Sequence, residues 1–534
     1  MNDIVLRGGR VVDGTGSPGR EADVAIRDGI IVGIGTACGR AERELAVDGL
    51  TVAPGFIDMH AHADLYLLRN PGTDHRVLQG VTAEVAGNCG FSAAPLGAEW
   101  AKDFRQYARP VLGTWPEGAQ CAGMADYLDA LARTPLRHHA GALVGLGALR
   151  VAVRGYRPGR LAPPEMDRLI GLARESLDAG ALGVSMGLMY VPEAYFETDE
   201  LIRIASVAAE YGRPVTVHLR GEGSLLIPCI DEMIEVARRS GAAVHISHLK
   251  AIGRDNWNRA LAEAIERLEA GRAAGLDLTA DAYPYTAGSS TLLTLLPPWA
   301  LTDGADALAD RLRADAGFRR RVAGAMRVRT EGWDNLAVTT GWERIFVAAV
   351  PDPALRGMIG RSLAQCAAEA LMDPVDFTLD VVARTRGAVT TVSHHMDPAD
   401  VDRAIAWPHT CVVSDSLFDE SGCPHPRTYG TFGRLFGEFV RERGVLTLEQ
   451  AVRKCTAMPA QRMGFTGRGL IAEGYAADIV VFDARTIADR ASYTEPRHYP
   501  GGIRGVIVGG QVALWDGRTE PGCMGRVLRA GKKQ

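Results

Sequence analysis

The sequence has few cysteines, no long apolar run and no excess of charge. Its nine cysteines are an odd number, widely scattered, with no CxxC pair, which excludes a disulfide framework. The formal net charge is only −5 over 534 residues, and no Lys/Arg run is interleaved with aromatic residues, so nucleic acid is excluded as a partner. No window approaches the ~20 apolar residues that cross a bilayer, and the N-terminus lacks the apolar core of a signal peptide. We therefore expect a cytoplasmic protein without a membrane partner.

The two ends of the chain share one pattern, which the middle lacks. Short segments with period-2 alternation and Asp-Gly turns, such as ADVAIRDGIIVGIG and IRGVIVGGQVALWDG, predict antiparallel strands at both ends. A chain that begins and ends in the same sheet encloses its main domain as an insertion. We therefore predict a small β-sandwich domain from residues 1–53 and 467–534.

The segment 54–466 alternates short apolar runs with longer helical patterns, which predicts an α/β fold. An open doubly wound sheet is the alternative, but it usually carries a Gly-rich phosphate loop after its first strand, where this chain has HAH. The eight predicted strands, which favour a closed (β/α)8 TIM-like barrel, are Gly55–His62, Val81–Cys89, Ala142–Leu149, Leu182–Leu188, Pro214–Leu219, Ala243–Leu249, Leu276–Tyr283 and Thr410–Asp415. The stretch 284–409 is too long for one helical return and is predicted to be a rim insertion that forms a lid or a specificity wall.

Metal-ligand residue types stand at the ends of five predicted strands. His60 and His62 are two residues apart and so share one face of the first strand. The C-terminal strand ends of a barrel face one cavity, so residues distant in sequence meet there. The candidates are His60, His62, Cys89, His218, His248 and Asp415. Imidazole, thiolate and carboxylate are zinc ligands, and the thiolate favours zinc over iron, manganese or cobalt.

Several histidines are predicted to lie outside this set. Odd spacing puts His245 and His248 on opposite faces, and His248 is nearer the strand end. The histidines expected at the surface or behind the ligands are His75, His138, His139, His394, His395, His409 and His498.

The motifs APGFIDMHAH, GNCGFSAAP, HISHLK, CVVSDS and PHPRTYGTF together resemble the amidohydrolase superfamily, in particular its N-acyl-D-amino-acid deacylase (D-aminoacylase) branch. The resemblance extends over nearly the whole chain, and the cysteine of GNCG is its most specific element. It implies one tightly bound Zn²⁺ held by Cys89, His218 and His248. It also implies a second, weaker site at His60, His62 and Asp415.

The expected reaction is zinc-dependent hydrolysis of the amide bond of N-acyl-D-amino acids, giving a carboxylate and a free D-amino acid. Metal-bound hydroxide would attack the amide, with Asp415 as general base and then general acid. Arg427 is the favoured clamp for the substrate carboxylate because a guanidinium offers two parallel hydrogen bonds. The predicted substrate-binding residues are Lys250, Arg427, Tyr190, Tyr283 and Arg220.

Three positions depart from the pattern of the branch, namely Leu146, Glu193 and Gly221, and they leave the substrate class open. A cyclic-amide hydrolase, similar to dihydroorotases and hydantoinases, is one competing function, although Cys89 and the absence of an obvious bridging lysine oppose it. A deacylase or peptidase acting on a D-residue-containing peptide or specialised metabolite is a second, and a non-enzymatic scaffold is a third. Preference for the D-enantiomer rests on the resemblance alone, and a homo-oligomer is a further open expectation.

Overall fold

The structure is a computed structural model that describes residues 1–118, 121–419 and 422–531. In chain order, the strands are β1 (Asn2–Val11), β2 (Arg20–Arg27), β3 (Ile30–Gly35), β4 (Ala41–Ala46), β5 (Thr51–Pro54), β6 (Phe56–Asp58), β7 (Ala61–His62), β8 (Val81–Ala86), β9 (His139–Ala142), β10 (Val144–Gly145), β11 (Val184–Gly187), β12 (Val215–His218), β13 (Val244–Ile246), β14 (Leu278–Ala282), β15 (Ala287–Thr291), β16 (Ile345–Ala349), β17 (Thr390–His394), β18 (Thr410–Val412), β19 (Ser416–Leu417), β20 (Ile479–Phe482), β21 (Ile503–Val508), β22 (Gln511–Trp515) and β23 (Arg518–Thr519).

The α-helices in chain order are α1 (Tyr66–Arg69), α2 (Ala101–Leu112), α3 (Met124–Arg133), α4 (Leu146–Arg154), α5 (Pro163–Asp178), α6 (Thr198–Glu210), α7 (Leu226–Ser240), α8 (Ala260–Ala273), α9 (Gly304–Ala314), α10 (Ala316–Met326), α11 (Leu336–Thr340), α12 (Leu363–Glu369), α13 (Pro374–Thr385), α14 (Pro398–Ala406), α15 (Arg427–Arg434), α16 (Leu448–Lys454) and α17 (Ala457–Met463). A π-helix, Leu435–Glu442, continues α15, and short 3₁₀ turns lie between several elements. Within the described residues, no helix is long and apolar enough to span a membrane.

Both chain ends contribute to one small β-domain. Strand β1 pairs with β2 and β4 along most of its length, and its last two residues pair with β5. From β5 the sheet continues through β20, β21, β22 and β23. Buried side chains from both halves, including Leu6, Ile26, Val52 and Ile479, form one apolar core between them. The predicted small β-sandwich built from both chain ends is confirmed.

Eight parallel strands form the barrel. Strands β6, β8 and β9 make one parallel run, and β10, β11, β12, β13, β14 and β18 make another. Strands β9 and β10 are one strand interrupted at Leu143, whose N–H bonds to Ala86 O on β8 at 2.9 Å. The ring is completed where β7 pairs with β19, Ala61 opposite Ser416. The predicted (β/α)8 barrel is therefore confirmed.

The third barrel strand lies earlier than predicted. The prediction was Ala142–Leu149, whereas the strand covers His139–Gly145 and Leu146 begins α4. The sequence LGALRVAVR is rich in leucine, alanine and arginine, which favour a helix, and its apolar residues misled the strand assignment.

The segment between β14 and β18 contains the antiparallel sheet β15-β17-β16 and helices α9 to α14. Strands β15 and β17 stand over the C-terminal ends of the barrel strands and contribute Ser290 and Thr391 to the wall of the central cavity. At the other end of the barrel, the C-terminal tail runs along β9, where Leu528 N–H bonds to Ala140 O at 2.8 Å. This tail packs on the barrel, although the sequence grouped it with the small β-domain.

An aromatic cluster joins the barrel to the sandwich. The ring of Phe56 on β6 lies 5.1 Å from Phe432, 5.2 Å from Phe436 and 6.1 Å from Phe482 on β20. We predict that Phe56→Ala lowers the free energy of unfolding by about 3–5 kcal/mol, because a buried ring is lost and a cavity remains. Chemical denaturation measures the change. Leu371→Ala is the control, since this side chain is 94% exposed, and it should stay within about 0.5 kcal/mol of wild type.

Candidate metal centre

The six predicted ligands lie together at the C-terminal end of the barrel. His62 and His218 occupy the last positions of β7 and β12, and Cys89, His248 and Asp415 follow β8, β13 and β18. All six side chains are buried, and His60 is fully enclosed. The structure therefore brings together every residue that the strand ends indicated.

The donor atoms are close enough to share metal ions. Cys89 Sγ lies 3.3 Å from His60 Nε2 and 3.5 Å from His248 Nε2. Asp415 Oδ1 lies 3.4 Å from His60 Nε2 and 3.3 Å from His62 Nε2. The ring of His218 is 4.5 Å from that of His248. Because Cys89 is as close to His60 as to His248, its thiolate can reach both of the sites that the family resemblance implies.

Three of these residues have a left-handed backbone. The φ angles are 53° at Cys89, 36° at His248 and 46° at Asp415, a region that non-glycine residues seldom adopt. Such conformations persist where the surrounding structure imposes them, and they concentrate at functional sites. Each residue is the point where the chain leaves a barrel strand, so the bend turns its side chain toward the cavity.

Asp281, at the end of β14, orients two of the histidines. Its Oδ2 lies 3.1 Å from His60 Nδ1 and 3.0 Å from His245 Nε2, and its Oδ1 accepts the His248 N–H at 2.5 Å. An acceptor at Nδ1 leaves His60 Nε2 free to bind a metal. Asp281 was not among the predicted site residues, although it lies near the end of the predicted strand Leu276–Tyr283.

Glu222 plays the corresponding part for His248. Its Oε1 lies 2.9 Å from His248 Nδ1 and 2.5 Å from Lys250 Nζ, and Lys250 Nζ is itself 2.8 Å from His248 Nδ1. The charge of Lys250, a predicted substrate-binding residue, is thus compensated by a buried carboxylate that the sequence analysis did not identify.

The electrostatics of the cluster favour a bound cation. Burial alone would raise the pKa of the Cys89 thiol, but His60 and His248 outweigh it and hold that pKa well below its usual value. Burial would lower the pKa of His60, yet Asp281 and Cys89 raise it well above normal. Neither ring nitrogen of buried His218 has a hydrogen-bond partner among the described residues. Thiolate, imidazole and carboxylate donors with an unsatisfied imidazole fit a zinc site.

A cavity lies directly above the cluster, and Cys89, His218 and Asp415 form part of its lining. Four of the predicted substrate-binding residues line it, namely Lys250, Arg427, Tyr190 and Tyr283. Arg220 does not: it bonds to Glu232 at 2.8 Å and to the carbonyl of Phe196 at 2.6 Å. The prediction that Arg220 binds substrate conflicts with this position, because the guanidinium is engaged on the outer side of the barrel.

A buried ionic network lies beside Asp415. Arg76 Nη2 donates to Ser416 Oγ at 2.6 Å and lies 3.1 Å from Asp58 Oδ2. Asp58 in turn accepts the Ser414 N–H at 3.0 Å and the Ser414 hydroxyl. Both neighbours of Asp415 are therefore anchored to the first barrel strand and to Arg76.

The three departures from the family pattern lie behind the cavity wall. Leu146 is fully buried at the start of α4, and Glu193 Oε2 accepts the Gly187 N–H at 2.7 Å. The rim insertion places the carboxylate of Asp334 next to Gly221. A side chain at position 221 would collide with it, because a Cβ there would lie 2.4 Å from Asp334 Oδ2. That carboxylate accepts the Gly223 N–H at 2.8 Å.

Of the histidines predicted to lie outside the ligand set, His498 is exposed, while His75, His138, His139 and His395 are buried. His138 bonds to Glu84 at 2.7 Å and His139 to Asp478 at 3.0 Å, both within the protein interior. His395 instead lines the cavity, a position that the sequence analysis did not anticipate.

A parallel barrel with clustered His, Cys and Asp side chains at its strand ends, joined to a sandwich from both termini, defines a metal-dependent hydrolase. The sequence pattern of the amidohydrolase family matches residues 364–514. The protein is 35% identical to a D-aminoacylase and 36% identical to an N-acyl-D-glutamate deacylase, both from Alcaligenes xylosoxydans xylosoxydans. These matches cover 98–99% of this chain and 96–97% of each relative. A similar crystal structure is that of an N-acyl-D-glutamate deacylase from Bordetella bronchiseptica complexed with zinc and a phosphonate inhibitor. Its sequence is 32% identical, and the two structures superpose with a TM-score of 0.82 over 99% of this chain and all of that one. The chain belongs to the amidohydrolase family, in its N-acyl-D-amino-acid deacylase branch.

We predict that Asp281→Asn weakens zinc binding by about 10–100-fold, because the amide places an N–H group where the histidines and the His248 N–H need an acceptor. Competition with a chelating dye measures the affinity. Asp478→Asn is the matched control, since Asp478 is also a buried carboxylate bonded to a histidine, but at the sandwich. Equal affinities of both variants and wild type would contradict the role of Asp281.

Proposed function

We propose that this protein hydrolyses the amide bond of N-acyl-D-amino acids, with zinc as its cofactor. The observation that carries the proposal is the convergence of Cys89, His218 and His248 at the ends of barrel strands, with His218 unsatisfied on both ring nitrogens. Relatives that the chain matches over nearly their full length include a D-aminoacylase and an N-acyl-D-glutamate deacylase, which supports the same reaction here. Cytoplasmic location and a homo-oligomeric state stay predictions from the sequence.

Cys89, His218 and His248 would hold the tightly bound zinc, and His60, His62 and Asp415 a weaker second ion. When bound, zinc lowers the pKa of water and polarises the amide carbonyl. Because water is the attacking group, no serine or cysteine nucleophile is required. As a metal ligand, Cys89 would not be available for that role.

We assign the proton transfers of the reaction to Asp415. Burial would raise the pKa of its carboxyl group, but Arg427 and His60 outweigh burial and hold that pKa well below normal, so the group is an acceptor at neutral pH. Asp415 takes a proton from the attacking water and delivers it to the amide nitrogen as the C–N bond breaks. The products are a carboxylate and a free amino acid.

We assign binding of the substrate α-carboxylate to Arg427. The guanidinium is buried, its Nη1 lies 2.9 Å from Asp415 Oδ2, and its plane stacks over the ring of Tyr283 at 4.4 Å. Its Nε has no hydrogen-bond partner among the described residues. A buried donor without a partner beside the cavity fits a carboxylate that arrives with the substrate.

The proposal is tested by screening paired D- and L-N-acetyl amino acids with the zinc-loaded protein. We expect release of the free D-amino acid, loss of activity after chelation and recovery when zinc is restored. Cleavage of L-substrates alone would overturn the stereochemical assignment. Undiminished activity in a preparation shown by metal analysis to lack metal would overturn the mechanism.

We predict that Asp415→Asn lowers kcat by about 10²–10⁴-fold, because the amide cannot accept the proton. Metal analysis must accompany the kinetics, since the variant also alters the weaker site. Asp400→Asn, which removes a buried carboxylate on α14, serves as control and should retain wild-type turnover. Near-normal kcat in Asp415→Asn with zinc bound would show that another group transfers the proton.

A further inference from the structure

His395 is a buried histidine that the proposed mechanism does not use. It follows β17 in the rim insertion, lines the cavity and is only 7% exposed. Among the described residues, neither of its ring nitrogens has a hydrogen-bond partner. Buried polar atoms are almost always paired, so an unpaired imidazole facing a cavity indicates a ligand that completes it.

The main chain holds His395 in place. Its carbonyl oxygen accepts the Gly253 N–H at 3.0 Å and the Trp257 indole N–H at 3.0 Å. Both donors belong to the loop that follows β13 and Lys250. The backbone at His395 is thus fixed to the loop beside the metal cluster, and a fixed donor loses little freedom when a ligand binds.

The imidazole shares one corner of the cavity with Tyr283. A Cβ added to Gly288 would lie 2.9 Å from His395 Nε2 and 3.3 Å from the Tyr283 hydroxyl. His395 Nε2 and the Tyr283 hydroxyl therefore lie on the same side of Gly288, which has no side chain to separate them from the cavity. Because Arg427 stacks on the Tyr283 ring, this corner also adjoins the guanidinium proposed to receive the substrate carboxylate.

The cations near this corner are already compensated. Lys250 is paired with Glu222 at 2.5 Å and Arg427 with Asp415 at 2.9 Å. Burial, helped by Lys250, lowers the pKa of His395 to about 3, so the imidazole is neutral and carries one N–H donor. Binding of an anion here needs neutral donors in addition to the paired cations.

We propose that His395 donates a hydrogen bond from Nε2 to the α-carboxylate of the N-acyl-D-amino acid, beside the Tyr283 hydroxyl. The inference rests on the proposed function and extends it, because it assigns to the rim insertion a residue that selects substrates bearing a carboxylate. A hydrogen bond to a charged group contributes about 1.5–3 kcal/mol, which corresponds to about a 10–100-fold change in affinity.

The test uses His395→Phe with N-acetyl-D-methionine and its neutral carboxamide, since the cavity also presents the apolar side chains of Phe91, Val111 and Met189. We expect KM for the acid to rise about 10–100-fold, KM for the carboxamide to change less than about threefold, and kcat to stay close to wild type. His395→Gln, which keeps an N–H donor, should recover part of the affinity for the acid.

His394→Phe is the matched control, because the adjacent histidine packs against Phe346 and Tyr493 away from the cavity, and its KM should equal that of wild type. Unchanged KM in His395→Phe, or equal increases for acid and carboxamide, would overturn the role of His395. A wild type that cleaves no N-acyl-D-amino acid would refute the proposed function instead. Calorimetric binding of N-acetyl-D-methionine to wild type and His395→Phe would then decide on His395: weaker binding to the variant supports it, and equal or absent binding overturns it.

Discussion

Closure of the barrel between its first and last strands is the constraint on which the site depends. At this seam the Asp415 N–H donates to the carbonyl oxygen of His60 at 2.9 Å. The Ser414 N–H donates to the side-chain carboxylate of Asp58 instead of to a main-chain carbonyl. The seam brings His60 and Asp415, from opposite ends of the barrel sequence, within 3.4 Å of each other. Buried ionic groups such as Arg76 and Asp58 are costly to desolvate, so their pairing does not by itself imply a net gain in stability.

Much of the site could be predicted from the sequence because one rule covers it: ligand residue types stood at the ends of apolar runs, and barrel strand ends meet. By this rule His60, Cys89 and Asp415 were expected at one end of the barrel, and the structure has their donor atoms there, within 3.3–3.4 Å of one another at His60. It failed for the third strand, where the apolar residues from Leu146 onward belong to a helix. Periodicity over a few residues cannot separate a buried strand from a buried helix, and helix-forming residues were the overlooked signal.

The groups that were missed act through tertiary contacts. Asp281 lies near the end of a predicted strand and could have been found by the same rule. Its value lies in contacting His245 on the neighbouring strand β13 and also His60, which the closed barrel brings to it. Glu222 lies in a loop, and only the fold brings it to Lys250. His394 and His395 are indistinguishable in sequence, yet successive residues of an extended strand face opposite sides, so only one of them reaches the cavity.

The charges around the cavity explain why uncharged donors matter there. Each of the two cations in the described lining has its own carboxylate, Glu222 for Lys250 and Asp415 for Arg427. Such pairing keeps the buried charges compensated when no substrate is present. An isolated buried guanidinium would instead be an uncompensated charge, which is costly. It also reduces the net attraction for a free anion, so selection of a carboxylate depends more on fixed hydrogen-bond donors at the correct positions than on charge alone. His395, the donor that we propose, stands on the rim insertion, which is attached to the barrel along the chain only through β14 and β18, whereas the metal ligands stand at the barrel strand ends.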